Sequence, residues 1–273
     1  MKKRIEYSKT HSIGDSTGQC AAVTDSLEGK ENFGGFLTDS LLSLGIQLTE
    51  KQIEQFYQFY LDLTEKNKVM NLTAITDMKS IVVKHFSDSL ALIKAVPDLM
   101  EKEYRLIDIG TGAGFPGVPL AICYPQHQLT VMDSLNKRIR FIQEEIERLG
   151  LHNIHAVHAR AEELARDRMH RETYDLCVSR AVANLSTLAE YCLPFIHKDG
   201  RFIPYKSGQV DAERRKARKA LQILGGKEEM LIRFSLPDAE GERCLLVIKK
   251  VASTPGRYPR RAGMPSKEPL SER

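Results

Sequence analysis

One glycine-rich run constrains this chain more than any other feature. Asp108-Ile-Gly110-Thr-Gly112-Ala-Gly114-Phe115-Pro116-Gly117 lies between a short apolar run, Leu106 to Ile109, and a helical one, Val118 to Cys123. Glycines there let a backbone turn sharply and approach a ligand closely. Downstream the same rhythm repeats. Strand patterns at Leu129 to Asp133, Ile154 to Val157, Tyr174 to Ser179 and Gly200 to Tyr205 alternate with helical patterns at Asn136 to Leu149, from about Arg160, at Leu185 to Cys192 and at Ala212 to Leu224. Apolar strands alternating with helices predict an α/β fold with a mostly parallel, doubly wound sheet. After Gly225-Gly226, runs near Met230 to Phe234 and Cys244 to Ile248 follow with no helix between them and predict an antiparallel C-terminal hairpin.

Ligands of open parallel sheets bind at the carboxyl ends of the strands, where this turn lies. Two cofactors compete for it. From Gly112 the string reads G-x-G-x-x-G, with Asp133 21 residues on, which suits a dinucleotide. From Asp108 it reads acid-x-G-x-G-x-G, the pattern of class I methyltransferases, and an acid beside the turn suits a cationic sulfonium better than a pyrophosphate. In either case Asp133, closing the second strand, is placed for the ribose hydroxyls.

The chain divides into four parts. Residues 1–32 are polar, rich in Ser, Thr, Gly and Lys, and read as a mobile leader. Residues 33–103 carry three helical patterns, the second capped by Thr49, and read as a small helical subdomain. Residues 104–251 hold the alternating core, and 252–273 form a basic tail. No apolar run is long enough to span a membrane, and the start lacks the apolar stretch of a secretory signal. Five scattered cysteines with no C-x-x-C pair and no His at metal-ligand spacing point to a reducing cytoplasm and to no metal.

The motifs together resemble the glucose-inhibited-division protein B family, the guanine-N7 methyltransferases of bacterial small-subunit ribosomal RNA. The matching stretches are Asn71-Leu72-Thr73, Lys84 to Ser89, Asp108 to Gly117, Asp133 to Arg138, Arg160-Ala161-Glu162, Ser179-Arg180-Ala181, Tyr205-Lys206 and Thr254 to Arg261. One departure is visible: the family often carries Trp-Asn before Asn-Leu-Thr, whereas this chain has Lys66-Asn67 and no Trp. The resemblance implies a Rossmann-like sheet that binds S-adenosyl-L-methionine through Asp108, Gly110, Gly112, Gly114, Phe115, Asp133, Ala161, Glu162 and Arg180. It implies small-subunit (16S) ribosomal RNA as partner, naked or in an assembling 30S particle.

The residues permit that chemistry. A pyrimidine carbon would need a nucleophilic Cys, and an exocyclic amine an Asn/Asp-Pro-Pro-aromatic turn after the fourth strand; that strand instead ends Cys177-Val178-Ser179-Arg180. Guanine N7 offers an in-plane lone pair and no proton to remove, so Arg180 and Lys206 are the candidates for holding the acceptor. His85 and Asp88, three apart on one helix, read as a packed, hydrogen-bonded pair rather than a catalytic one. Formal charge is only +4 overall, but residues 198–219 hold eight Lys and Arg against three Asp and Glu, and the tail from Val251 five against two. The helix after Lys206 and Arg257, Tyr258, Arg260 and Arg261 of the tail are therefore the expected grip on RNA. Two rival readings remain open at this point: a nicotinamide-dependent oxidoreductase using the same turn, and a non-catalytic RNA-binding protein.

Overall fold

The computed structural model describes residues 17–180, 183–208, 210–237 and 241–270, with side chains from residue 28. Helix α1 (Thr17–Leu42) begins inside the stretch read as leader, whose first 16 residues lie outside the described part. Phe33, Leu37 and Leu41 on one face of α1 are buried, and this pattern ties the helix to the body. Helix α2 (Glu50–Met70) starts at Thr49 with a reciprocal cap: Gln52 N donates to Thr49 Oγ1, and Thr49 N donates to Gln52 Oε1. Gln52 Nε2 also reaches the Ile122 and Cys123 carbonyls, so one side chain both starts α2 and anchors it on the sheet domain.

A broken helical segment follows: α3 (Met78–Ile81), a π-helical turn (Val82–Ser87), α4 (Asp88–Leu90) and a 3-10 turn (Ala91–Lys94). Then come β1 (Arg105–Ile109), α5 (Gly117–Cys123), β2 (Gln128–Asp133), α6 (Asn136–Arg148), β3 (Ile154–His158) and α7 (Ala161–Leu164). The chain continues through β4 (Tyr174–Ser179), α8 (Leu185–Cys192), β5 (Ile196–Ser207), α9 (Asp211–Leu224), β6 (Gly226–Phe234), β7 (Arg243–Lys250) and α10 (Met264–Lys267). The seven strands are ordered β3-β2-β1-β4-β5-β7-β6. The first five are parallel, while β7 runs antiparallel between β5 and β6 and closes the hairpin expected from the missing helix.

Side chains alternate between the faces of the sheet. Leu106, Val131, Leu176, Val178 and Ile203 join a core with α1, α2, α5 and α6, whereas Ile107, Met132, Cys177 and Phe202 join one with α8 and α9. The helical N-terminal part shares the first of these cores. Phe59 of α2 packs on Phe115 at 5.5 Å and on Phe141 of α6 at 6.4 Å, so the segment read as a subdomain is a wall of the main body. No helix among the described residues is long and apolar enough to cross a membrane.

Candidate active site

The order reverses at β1, whose neighbours are β2 and β4, and a cleft of about 790 Å³ opens at the carboxyl ends of these strands. Its floor is the glycine turn. Gly110 and Gly112 hold φ of +74° and +63°, where L side chains are strained, and the Gly110 and Thr111 amides donate to the Met132 carbonyl of β2. A Cβ on Gly112 would meet nothing within 4 Å, so the turn presents bare backbone to open space.

Asp133 closes β2 and lines the same cleft. Its buried carboxylate accepts from Gly112 N at 3.1 Å, Leu135 N at 2.8 Å and Arg138 Nη1 at 3.2 Å. Three donors from two segments fix its orientation before any ligand arrives. Ala161 and Glu162, after β3, line the opposite end.

Asp108 departs from the expected role. It is fully buried and absent from the cleft lining, and its Oδ2 accepts from Gly117 N at 3.0 Å. Burial pushes its carboxyl up to about 7. Asp108 therefore shapes the turn rather than facing a sulfonium. Gly114 also lies behind the surface, at φ +100°, where a Cβ would collide with Val118. Phe115 does line the cleft and stacks on the His85 ring, with centroids 4.5 Å apart.

Arg180 follows β4 and reaches across to the π-helical turn. Nη1 donates to the His85 carbonyl and Ser89 Oγ, and Nη2 to the Lys84 carbonyl, with Asp88 Oδ2 at 3.2 Å. Its terminal N–H groups are thus committed to a clamp between sheet and helical wall. His85 donates to or accepts from Thr73 Oγ1 at 2.8 Å; burial first, and Arg180 second, hold its imidazole down to about 3, so it is neutral at physiological pH.

A second cleft, about 630 Å³, shares Arg180 and Ala183 with the first and is lined also by Asp88, Tyr205, Lys206, Phe234, Arg243 and Cys244. Lys206 spends two donors on Ala183 O at 2.7 Å and Glu213 Oε1 at 2.8 Å, and so holds the loop after β4. Cys244 donates to Ser207 O, and burial pushes its thiol up to about 11, far from a thiolate nucleophile. Cys177 is fully buried in β4.

The tail differs most from the sequence reading. Tyr258 is 8% exposed, which removes it as a stacking platform, and Arg260 is bound to the buried carboxylate of Glu190. Gly263 N donates to Glu162 Oε1 at 2.8 Å, and Gly263 and Ser266 line the first cleft. Arg257 and Arg261 are exposed. The tail is therefore part of the cleft wall, and Glu162 is its anchor. Sequence reasoning gave no roles to Arg138, Asn184, Tyr191, Phe234 and Arg243. They reach the clefts from four elements, Asn184 and Tyr191 from the cap and the body of α8 and the others from α6, β6 and β7.

The family model for rRNA small subunit methyltransferase G (GidB) matches residues 52–240. The ribosomal RNA small subunit methyltransferase G of Lachnoclostridium phytofermentans is 54% identical over 230 residues, covering 84% of this chain and 94% of that protein. Its namesake from Ligilactobacillus salivarius is 47% identical over 232 residues, covering 85% and 96%. Among solved structures, M. jannaschii TYW2 in complex with AdoMet aligns with a TM-score of 0.46 at 15% identity, over 60% of this chain and 77% of that one.

Proposed function

Because the chain belongs to the rRNA small subunit methyltransferase G family, we propose that it methylates N7 of a guanine in small-subunit ribosomal RNA, with S-adenosylmethionine as donor. The observation that carries this reading is the pair of clefts meeting at Arg180 and Ala183, one built for a nucleoside cofactor and the other open to an acceptor. The residues of the first cleft fit the cofactor: bare backbone at Gly110 and Gly112, a fixed carboxylate at Asp133 for ribose hydroxyls, and Ala161 at the far end. When bound, S-adenosylmethionine supplies a methyl on a sulfonium, whose sulfur keeps the bonding electron pair as the methyl leaves.

The chain's own residues hold, orient and exclude water. Asp133 and the glycine turn would hold the donor, and the stacked His85 and Phe115 rings line the same cleft. Arg180 and Lys206 pin the loop after β4 and line the acceptor cleft as positioning residues. A lone-pair acceptor suits this site. Cys244 keeps its proton, and neutral His85 is far too weak a base at pH 7 to deprotonate an amine. A carbon acceptor would ask for a thiolate that the cleft does not provide. A nicotinamide oxidoreductase is not favoured, since the methyltransferase family match over residues 52–240 includes the glycine turn, Asp133 and Arg180.

RNA is expected to cross the second cleft along α9, where Arg215, Lys216, Arg218 and Lys219 are exposed, with Arg257 and Arg261 of the tail nearby in charge but not in the clefts. The substrate is taken as ribosomal RNA in the cytoplasm, naked or in an assembling 30S particle. Mass mapping of small-subunit ribosomal RNA from a deletion strain should show one guanosine lacking its N7 methyl, restored by purified protein and S-adenosylmethionine. A complete methylation pattern in that strain would overturn the reading.

A further inference from the structure

We propose that Asp88 is the specificity-determining residue of the acceptor cleft, its carboxylate receiving the N1–H and N2–H donors of the guanine. The proposal rests on the reading of that cleft as the acceptor site. Among RNA bases only guanine presents a ring N–H and an adjacent amino group as parallel donors, and a carboxylate is the two-oxygen acceptor that matches them.

Two lining side chains, Asp88 and Glu213, are carboxylates, and Asn184 adds a carboxamide with one acceptor oxygen. Asn184 Oδ1 is committed to capping α8, where it accepts from Thr187 N at 2.9 Å. Glu213 Oε1 takes the Lys206 ammonium at 2.8 Å. Asp88 differs from both. It projects from the helical wall with its side chain only 8% exposed, faces Arg180 Nη2 at 3.2 Å through Oδ2, and keeps Arg243 Nε at 3.7 Å from Oδ1, longer than a hydrogen bond. Burial raises the Asp88 carboxyl above its ordinary value and the two guanidinium groups oppose that rise, while the carboxylate's other lone-pair directions face the cleft it lines.

The charge balance of the cleft gives the contact a role in rate as well as recognition. Attack by N7 forms the N–CH3 bond, breaks the S–CH3 bond and leaves the purine with the positive charge that the sulfur loses. Arg180, Lys206 and Arg243 oppose that charge, and Asp88 and Glu213 are the acidic groups that offset them. A hydrogen bond from N1–H to a carboxylate strengthens as the purine becomes cationic. It therefore favours the transition state over the ground state.

The test uses the full chain, a ribosomal RNA fragment bearing the mapped target guanosine, and the same fragment with inosine, which lacks the 2-amino group, at that position. Wild-type kcat/KM should be about tenfold or more higher for guanosine than for inosine. In Asp88→Asn, kcat on guanosine should fall and the ratio should approach one, while S-adenosylhomocysteine affinity is kept. In Asp88→Glu, which retains the charge that Arg180 and Arg243 face but displaces the oxygens, the ratio should also fall. A wild-type ratio near one overturns the proposal. Equal losses on both substrates in the two variants do so as well, because they would mean that Asp88 serves only to hold Arg180. Failure of the wild-type protein to methylate either fragment at N7 would instead overturn the reading of the reaction.

Discussion

Glu190, fully buried in α8, holds Arg260 at three nitrogens: Arg260 N at 2.8 Å and Nε at 2.9 Å on Oε1, and Nη2 at 2.7 Å on Oε2. They lie 70 positions apart in sequence, with β5, α9, β6 and β7 between them, so this pair fastens the segment after β7 to the helix beside the cofactor cleft. Three residues on, Gly263 N meets Glu162. A basic residue that reads as an RNA contact is in this fold a bolt.

Arg260→Ala would remove the counter-ion of a carboxylate with no exposure and leave it the backbone N–H of residue 260. Breaking a buried pair from one side costs about 3–5 kcal/mol, and urea unfolding should show a loss of that order. S-adenosylhomocysteine binding should weaken along with it, because the wall carrying Gly263 loosens. A variant as stable as wild type would mean that the carboxylate finds another partner.

The exposed cations of α9 should behave in the opposite way. Replacing Arg215, Lys216 and Arg218 by Ala should lower the slope of log affinity for RNA against log salt by about 0.7–0.9 per lost phosphate contact. Calorimetric affinity for S-adenosylhomocysteine should stay unchanged. An unaltered slope would assign this helix face to plain solvent.

Two glycines of the turn, Gly112 and Gly117, separate binding from folding. At Gly112 a side chain enters open space, so Gly112→Val should give a folded protein, by circular dichroism, that no longer binds the cofactor. At Gly117 a Cβ would collide with Val131 and sit 3.1 Å from Asp108 Oδ2. Gly117→Ala should therefore lower stability, by about 1–3 kcal/mol for an overpacked core. Cofactor binding by a folded Gly112→Val protein would mean that the turn is merely structural.

Glu145 of α6 is 1% exposed, and burial, with Asp62 beside it, pushes its carboxyl up to about 8 from an ordinary 4.5. Between these values the folded state holds a proton that the unfolded state has released. Its stabilising effect is complete below about 4.5 and is lost as the pH rises through about 8. Glu145→Gln keeps the neutral shape, so urea midpoints should match wild type at pH 4 and exceed it at pH 9. Parallel pH profiles would remove Glu145 from the account.

The sheet and its ligand end were legible in the chain because they rest on local rules. Short apolar strands, helical periods between them and the glycines after Ile109 each act over fewer than a dozen residues, and the hairpin of β6 and β7 followed from a missing helix. Asp133 was legible for the same reason, as an acid at the end of a strand. Burial, by contrast, is decided by what arrives from far away. Nothing near Arg260 says that Glu190 will be waiting, and nothing near Phe33 says that Phe86 will pack on it. Charge in a sequence counts formal units, whereas the work a charge does depends on its partner and on the water left around it. That is why only the tertiary structure separates the cations of α9, which face solvent, from Arg180, Lys206 and Arg260, which are spent on holding the clefts in shape.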